Sequence, residues 1–273
     1  MTTEVPDASE VTTVRPVNLE EVELTPAEFR SDVKAVLVDS MGGEHSITRR
    51  ARVSVQGEGS LEWDEEEGIV IPNEILDGSD IGLIKWLYRN QHGTPFEGPE
   101  FEWYFEVPVF VSRQIVKHRL SSINEESGRY RTMRGQFYVV PESGERPLIQ
   151  IGKTGNYEFE LGRPDHLEAT RWVQKSTAEA AWENYQKLSH YGIAKEVARM
   201  HLPVSLYSSM FFKVNLRSLL NFLALRKDWG PDAVHPSKAQ YEIALLTDQI
   251  AEVVKKRFPT VWECFVESGY QAV

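Results

Sequence analysis

An α+β fold, with a mixed or antiparallel sheet and long helices, is what this sequence predicts. Helical and strand patterns interleave without the regular βαβ rhythm of a doubly wound sheet. No GxGxxG or Walker-type loop occurs, so a Rossmann or P-loop nucleotide fold is not indicated. A hydrophobic content of 41%, with seven Trp and twelve Phe, suffices for one large core.

The elements follow in order. Residues 1–30, rich in Glu, Thr, Pro and Val without periodicity, read as a flexible extension, and 31–273 as a single catalytic domain. Val33–Val38 reads as a strand closed by a turn at Asp39–Gly43. Glu44–Val53 suits a short helix, and the acidic stretch Gly57–Gly68 a loop. Asp80 serves as N-cap of a helix with Ile81, Ile84, Leu87 and Tyr88 on its apolar face, ending near His92-Gly93. Thr94-Pro95-Phe96 then extends or turns the chain. Phe101–Val107 alternates as a strand, and Val109–His118 winds into a helix with Gln114, Lys117 and His118 on one face.

Downstream, Arg129–Val139 reads as a strand. Asp165–Leu188 forms a long amphipathic helix with Ala178, Ala181, Trp182 and Tyr185 at core spacing. Ile193–Leu202 gives a helix stopped by Pro203. Ser205–Val214 is a strand, Leu216–Leu225 a helix, and Lys238–Lys256 a last long helix. An aromatic-rich helix carries Cys264.

Composition narrows the function. At a net charge of −11 the chain lacks the broad positive potential of nucleic-acid or membrane-surface binders. Its apolar runs are too short to span a bilayer, and residues 1–21 lack the pattern of a secretory signal. Cys264 is the sole cysteine, which excludes an intrachain disulfide and a cysteine-rich metal site and suits a cytoplasmic setting. With no Lys, Arg or His within four residues along the chain, it reads as a small buried apolar residue and not a nucleophile.

Against this acidic background stands a cationic island. From Arg113 to Arg134 there are six Lys/Arg (113, 117, 119, 129, 131, 134) and two Glu (125, 126). Together with its hydroxyls and Gly128, this suits a phosphorylated small molecule. Ser127-Gly128-Arg129 offers a hydroxyl, a glycine that lets backbone N–H approach an anion, and a guanidinium fork. His118 between Lys117 and Arg119 is poorly placed for a metal, since two cations oppose it and no second ligand has the right spacing; no metal site is expected. Three further segments carry polar groups that packing alone does not require. They are His92–Glu97, Arg199–Pro203 and Asn215–Arg226, although the first, taken alone, reads better as a helix stop and turn.

Together these segments resemble the flavin-dependent thymidylate synthases. The family's Arg-His-Arg triplet, seven residues and Ser appear as Lys117-His118-Arg119, Leu120–Glu126 and Ser127. Ser127-Gly128-Arg129-Tyr130, Phe137-Tyr138-Val139, His92–Glu97, Ala198-Arg199, Val214–Arg226 and Ala239–Ile243 continue the pattern in order. Lys117 stands for the first Arg, Gly98 and Lys238 for two usual His residues, and Lys227–Ser237 contains an insertion.

The resemblance implies conversion of dUMP to dTMP with 5,10-methylenetetrahydrofolate as carbon donor, FAD as hydride source and NADPH as its reductant. It also implies a homotetramer with sites shared between subunits. It assigns Gln114, Ile115, Val116, Lys117, Glu125, Glu126, Ser127, Gly128, Arg129, Arg199 and Arg226 to dUMP. Thr94, Lys117, His118, Arg119, Glu125, Asn215, Leu216, Arg217 and Asn221 fall to FAD. His92 and Lys238 would sit at the folate or flavin mouth. Arg226 would lie against the uracil ring as the catalytic group, stabilising negative charge at N3 where no cysteine serves. Two alternatives stand beside this: a paralogue transferring a different one-carbon unit to a pyrimidine nucleotide, and a non-catalytic nucleotide- or RNA-binding protein.

Overall fold

The computed structural model describes residues 23–57, 63–64, 69–70, 76–153 and 156–273. Its centre is a four-stranded antiparallel sheet in the order β2 (Lys34–Met41), β5 (Glu100–Pro108), β10 (Tyr207–Asn215), β6 (Ser122–Glu125). Strict alternation in β5 sends Phe101, Trp103, Phe105 and Val107 inward and leaves Glu102, Tyr104 and Glu106 on the other face. The register sets Trp103 opposite Phe212 and Phe105 opposite Met210, and the rings of Phe105 and Phe212 stack 5.4 Å apart.

Helices cover the inward face. These are α2 (Gly78–Arg89), α6 (Leu216–Arg226), α7 (Tyr241–Arg257) and α8 (Pro259–Glu267), whose buried Leu, Ile, Val and Phe residues join the strand aromatics in one core. Truncating a fully buried ring here, such as Phe212→Ala, is expected to cost ~3–5 kcal/mol. A smaller core forms where α4 (Pro164–His190) sets Ala178, Trp182 and Tyr185 against Phe137 and Leu206. The α+β class, the antiparallel sheet and the long helices are as the sequence predicts.

Several boundaries move. The N-cap of α2 is Asp77, whose Oδ1 accepts from the Asp80 backbone N–H at 2.8 Å. Asp80 sits three residues in and returns the bond to Asp77 N–H at 3.2 Å, so the two aspartates form a capping box. The helix expected over 109–118 is α3 (Val109–Ile115). The His118 N–H takes the Ile115 carbonyl at 2.9 Å in a closing turn, so Gln114, Lys117 and His118 do not share a helical face. The strand expected from Arg129 is confined to β7 (Gln136–Tyr138), because the Ser127 carbonyl draws the Tyr130 and Arg131 N–H groups into a turn. The helix expected over 193–202 is the single turn α5 (Lys195–Ala198) continued by a 3₁₀ turn at Arg199–His201. Helix α1 runs over Glu44–Gln56.

Three strand pairs add to the expected set. Strand β1 (Glu28–Arg30) runs parallel to β7, and the Trp182 indole donates to the Thr25 carbonyl at 2.9 Å. Residues 23–30 are therefore strapped to the body instead of loosely attached; residues 1–22 lie outside the described residues. Within the stretch expected to be a loop, Trp63–Asp64 (β3) pairs with Ile69–Val70 (β4), and its other residues from 58 on lie outside the described ones. Strands β8 (Ile149–Lys153) and β9 (Asn156–Glu160) form a hairpin. Among the described residues no helix is long and apolar enough to cross a membrane.

Candidate active site

The candidate residues fall into three groups within one chain. The first surrounds the start of α6. Asn215 is its N-cap, accepting from the Ser218 N–H at 2.9 Å, so its side chain is committed to the helix terminus. Arg217 donates from Nη1 to Glu97 at 2.7 Å and from Nε to the Val273 carbonyl at 2.8 Å. It lies over the 92–94 segment so closely that a Cβ on Gly93 would stand 2.4 Å from its guanidinium carbon. Two clefts meet at this arginine, one of about 1010 Å³ reaching His92 and Thr94, the other of about 510 Å³ reaching Asn221. The Thr94 hydroxyl and the Asn221 amide have no hydrogen-bond partner among the described residues. Leu216, by contrast, is buried in the core.

His118 does not reach these clefts. It is 7% exposed and packs edge-on against Phe222, with Nε2 2.8 Å from the Ser218 hydroxyl. Burial pushes its imidazole below the ordinary histidine range, and the nearby Arg226 charge adds to the effect. The side chain is a core pin joining the triplet to α6. Its neighbours Lys117 and Arg119 are exposed, and neither forms an ion pair among the described residues.

The second group lies at the other end of α6. Arg226 is half-buried, and its Nη2 donates to the Gln114 carbonyl at 3.2 Å. No carboxylate pairs with it among the described residues, and burial alone lowers its pKa. The end of α6 from which it projects is capped by side chains: Trp229 donates to the Leu223 carbonyl at 3.0 Å, Ser237 to Leu225 at 2.8 Å and Thr247 to Arg226 at 3.3 Å. Trp229 belongs to the Lys227–Ser237 insertion and stacks on Tyr270 at 4.3 Å, so the insertion is packed down onto the α8 end of the core. Gln114 and Lys238 line a cavity of about 530 Å³ with Tyr157 and Phe159 of the β8–β9 hairpin. Ile115 is buried and Val116 is partly exposed at the end of α3.

The third group runs along the sheet edge at β6. Glu125 accepts from the Ser208 hydroxyl at 2.7 Å. Glu126 turns inward to the Ser209 N–H at 3.0 Å and pairs with Arg131 at 3.1 Å, a structural role that leaves little for a ligand. Gly128 lets Met133 and Arg199 close in, since a Cβ there would stand 2.8 Å from Met133 Sδ and 3.0 Å from Arg199 Cδ. Arg129 pairs with Glu196 at 2.8 Å. Arg199 is exposed and has no ion-pair partner among the described residues. The Ser127 oxygen accepts from the Arg129 N–H at 3.3 Å, shaping the turn.

Arg146 behind Glu242 had no distinguishing mark in the sequence, and the supporting roles of Ser218 behind His118 and Glu97 behind Arg217 were not assigned, although both lie in segments that the motifs cover. Gln240 and Glu242 do lie in the Ala239–Ile243 element, and that was the available signal. Cys264 is buried, and burial pushes its thiol up to about 11, so it is no thiolate near neutral pH. Among the described residues no three His, Cys, Asp or Glu are grouped to hold a metal ion.

The family described as thymidylate synthase complementing protein matches residues 36–260. The chain belongs to that family. A flavin-dependent thymidylate synthase of Tropheryma whipplei is 38% identical over 241 residues, covering 88% of this chain and 95% of its own. The Streptomyces avermitilis flavin-dependent thymidylate synthase is 38% identical over 251 residues, covering 90% and 97%. In three dimensions, the UMP/dUMP methylase PolB of Streptomyces cacaoi, bound with 5-Br dUMP, is similar with a TM-score of 0.79 at 36% identity, covering 90% of this chain and 100% of that one. The same methylase bound with 5-Br UMP gives a TM-score of 0.79 at 35% identity. Membership in the thymidylate synthase complementing family makes the protein an enzyme of the methyltransferase class.

Proposed function

We propose that the protein methylates dUMP at C5 to give dTMP, taking the carbon from 5,10-methylenetetrahydrofolate and using FAD reduced by NADPH. The observation that carries this reading is Arg226. A half-buried guanidinium with no carboxylate partner among the described residues is a preorganised cation awaiting an anion. Placed beside the pyrimidine, it stabilises negative charge at N3 and raises electron density at C5. The buried Cys264 thiol offers no covalent route to the same activation.

Lys117, Arg119 and Arg199 supply further unpaired cations for phosphate groups, and the turn at Ser127-Gly128 lets backbone N–H groups approach one. For the flavin, the residues present fit. Thr94 and Asn221 hold unpartnered polar groups in clefts that meet at Arg217, with Lys117 and Arg119 able to balance a diphosphate. Bound FAD supplies the hydride that completes the methyl group. His118 acts from behind, holding the triplet on α6, and His92 and Lys238 stand at the openings of the first and second groups.

Division of the candidate residues into three groups supports a homotetramer with shared sites. The uncovered sheet face, with Val36, Val38 and Phe211 exposed, gives such an assembly apolar surface to bury. A cytoplasmic location accompanies the reading.

The test is the visible spectrum of purified protein together with NADPH oxidation. A flavin spectrum bleached by NADPH, dUMP-dependent turnover and a product heavier by one methyl group are expected; a hydroxymethylated base would overturn the methyl assignment. Colourless protein without dUMP-stimulated oxidation would leave a binding protein. A second reading, that UMP is also a substrate, is favoured by the likeness to a methylase seen with both 5-Br UMP and 5-Br dUMP. Competition between UMP and dUMP for turnover decides it.

A further inference from the structure

Behind Gln114 runs a line of side-chain hydrogen bonds whose direction is set at its far end. Glu242, 1% exposed in the first turn of α7, is paired with Arg146 and as a carboxylate can only accept. Its Oε1 accepts from the Tyr138 hydroxyl at 2.8 Å and from Arg146 Nε at 2.9 Å. Its Oε2 accepts from Gln240 Nε2 at 2.8 Å, with Arg146 Nη2 at 3.5 Å too distant to displace it. The Gln240 amide is thereby oriented, nitrogen toward Glu242 and oxygen toward Gln114. Gln114 must then donate through Nε2 to Gln240 Oε1. What is left over is Gln114 Oε1, an acceptor with no partner among the described residues, on the residue whose carbonyl Arg226 holds.

We propose that Glu242 is a positioning residue for nucleotide recognition. Acting through Gln240, it fixes the Gln114 carboxamide with its oxygen toward the nucleotide, where that oxygen accepts a hydrogen bond from a uridylate donor. The assignment rests on the reading of this protein as a uridylate methylase. An unheld carboxamide presents N–H and C=O interchangeably; one held from behind recognises donors and rejects acceptors. The donor is the ribose 3′-hydroxyl, because an N3 held as an anion by Arg226 has no hydrogen to give.

Calorimetric titration of dUMP into the flavin-loaded full chain tests this. In Glu242→Gln the donor-only Arg146 keeps the oxygen of the new amide on its side, the amide N–H faces Gln240, and Gln114 is turned to present Nε2; the dissociation constant for dUMP is expected to rise about tenfold. The double variant Glu242→Gln/Gln240→Glu moves the acceptor-only group one step nearer and again forces Gln114 to donate. It is expected to restore binding to within about threefold of wild type. A role in packing alone predicts a double variant no better than the single one, and that result overturns the proposal. So does unchanged affinity in a Glu242→Gln protein that melts as the wild type does. Wild-type protein that ignores dUMP removes the functional reading as well, whereas wild-type binding with indifferent variants removes only this assignment. Repeating the titrations with a 3′-deoxy analogue tests the donor, because the gap between wild type and variant closes when the hydroxyl is missing. A gap that persists with that analogue overturns the assignment.

Discussion

The two ends of α6 carry arginines of opposite character. Arg217, in the first turn, is tied to Glu97 and the Val273 carbonyl, and its side chain remains 43% exposed. Arg226, in the last turn, is half-buried beside the Gln114 carbonyl with no carboxylate partner among the described residues. Residue type is the same and the distance along the helix is short. The difference lies in what the chain offers each cation: an acidic partner in solvent for one, desolvation without a counterion for the other. An exposed pair contributes little to stability, whereas a half-buried cation without a counterion is costly to the fold, a cost that the proposed function would offset on binding.

The largest test of that contrast is Arg226→Ala. Removing a preorganised cation from the pyrimidine is expected to lower kcat by about 10²–10³ with flavin still bound, as losing one oxyanion-type donor does. Unchanged turnover would take Arg226 out of the mechanism. Arg217→Ala sharpens the other side: flavin affinity is expected to fall about tenfold, kcat at saturating flavin to change little, and the melting temperature to shift by no more than an exposed pair allows. The flavin retained after gel filtration reads it.

Trp229→Ala asks whether the capped end of α6 matters. Partial burial makes the expected loss about 2 kcal/mol, below the ~3–5 kcal/mol of a fully buried ring, and denaturant titration measures it. A rise in KM for dUMP is expected alongside, since Arg226 projects from the end that Trp229 caps.

His118 gives a pH dependence. Its folded pKa is lowered by burial, so the unfolded chain takes up a proton first. Stability is therefore full above the ordinary histidine pKa, declines as pH falls from ~6.5 toward the lowered folded value, and levels off below it. Denaturation midpoints between pH 7 and 5 should show this slope, and His118→Gln should flatten it. Smallest is Cys264→Ser, expected to leave turnover within about twofold while costing about 1 kcal/mol for a buried hydroxyl. Inactivity in folded protein would reopen a cysteine route.

Much of the fold was legible because periodicity reports burial. Strands β5 and β10 and helices α4, α6, α7 and α8 were found where their apolar spacing put them. Strand β6 escaped because Ser122-Ile123-Asn124-Glu125 pairs through backbone on a sheet edge and buries little. The β8–β9 hairpin is mostly exposed for the same reason. Two aspartates three apart in α2 could not be ranked as caps from composition, since the capping box uses both. For the site, the motif spacing named residues but not their directions. That His118 points inward depends on Ser218, a hundred positions away, and the orientation of Gln114 depends on Glu242, 128 positions away. Such dependencies are three-dimensional and leave no local trace.

One consequence of the buried Cys264 is practical. With the only native thiol shielded in the core, a cysteine introduced at Tyr130 (77% exposed) or Trp172 (70% exposed) would react selectively with a maleimide dye. Energy transfer between labelled copies would then follow subunit assembly without mutating any native cysteine.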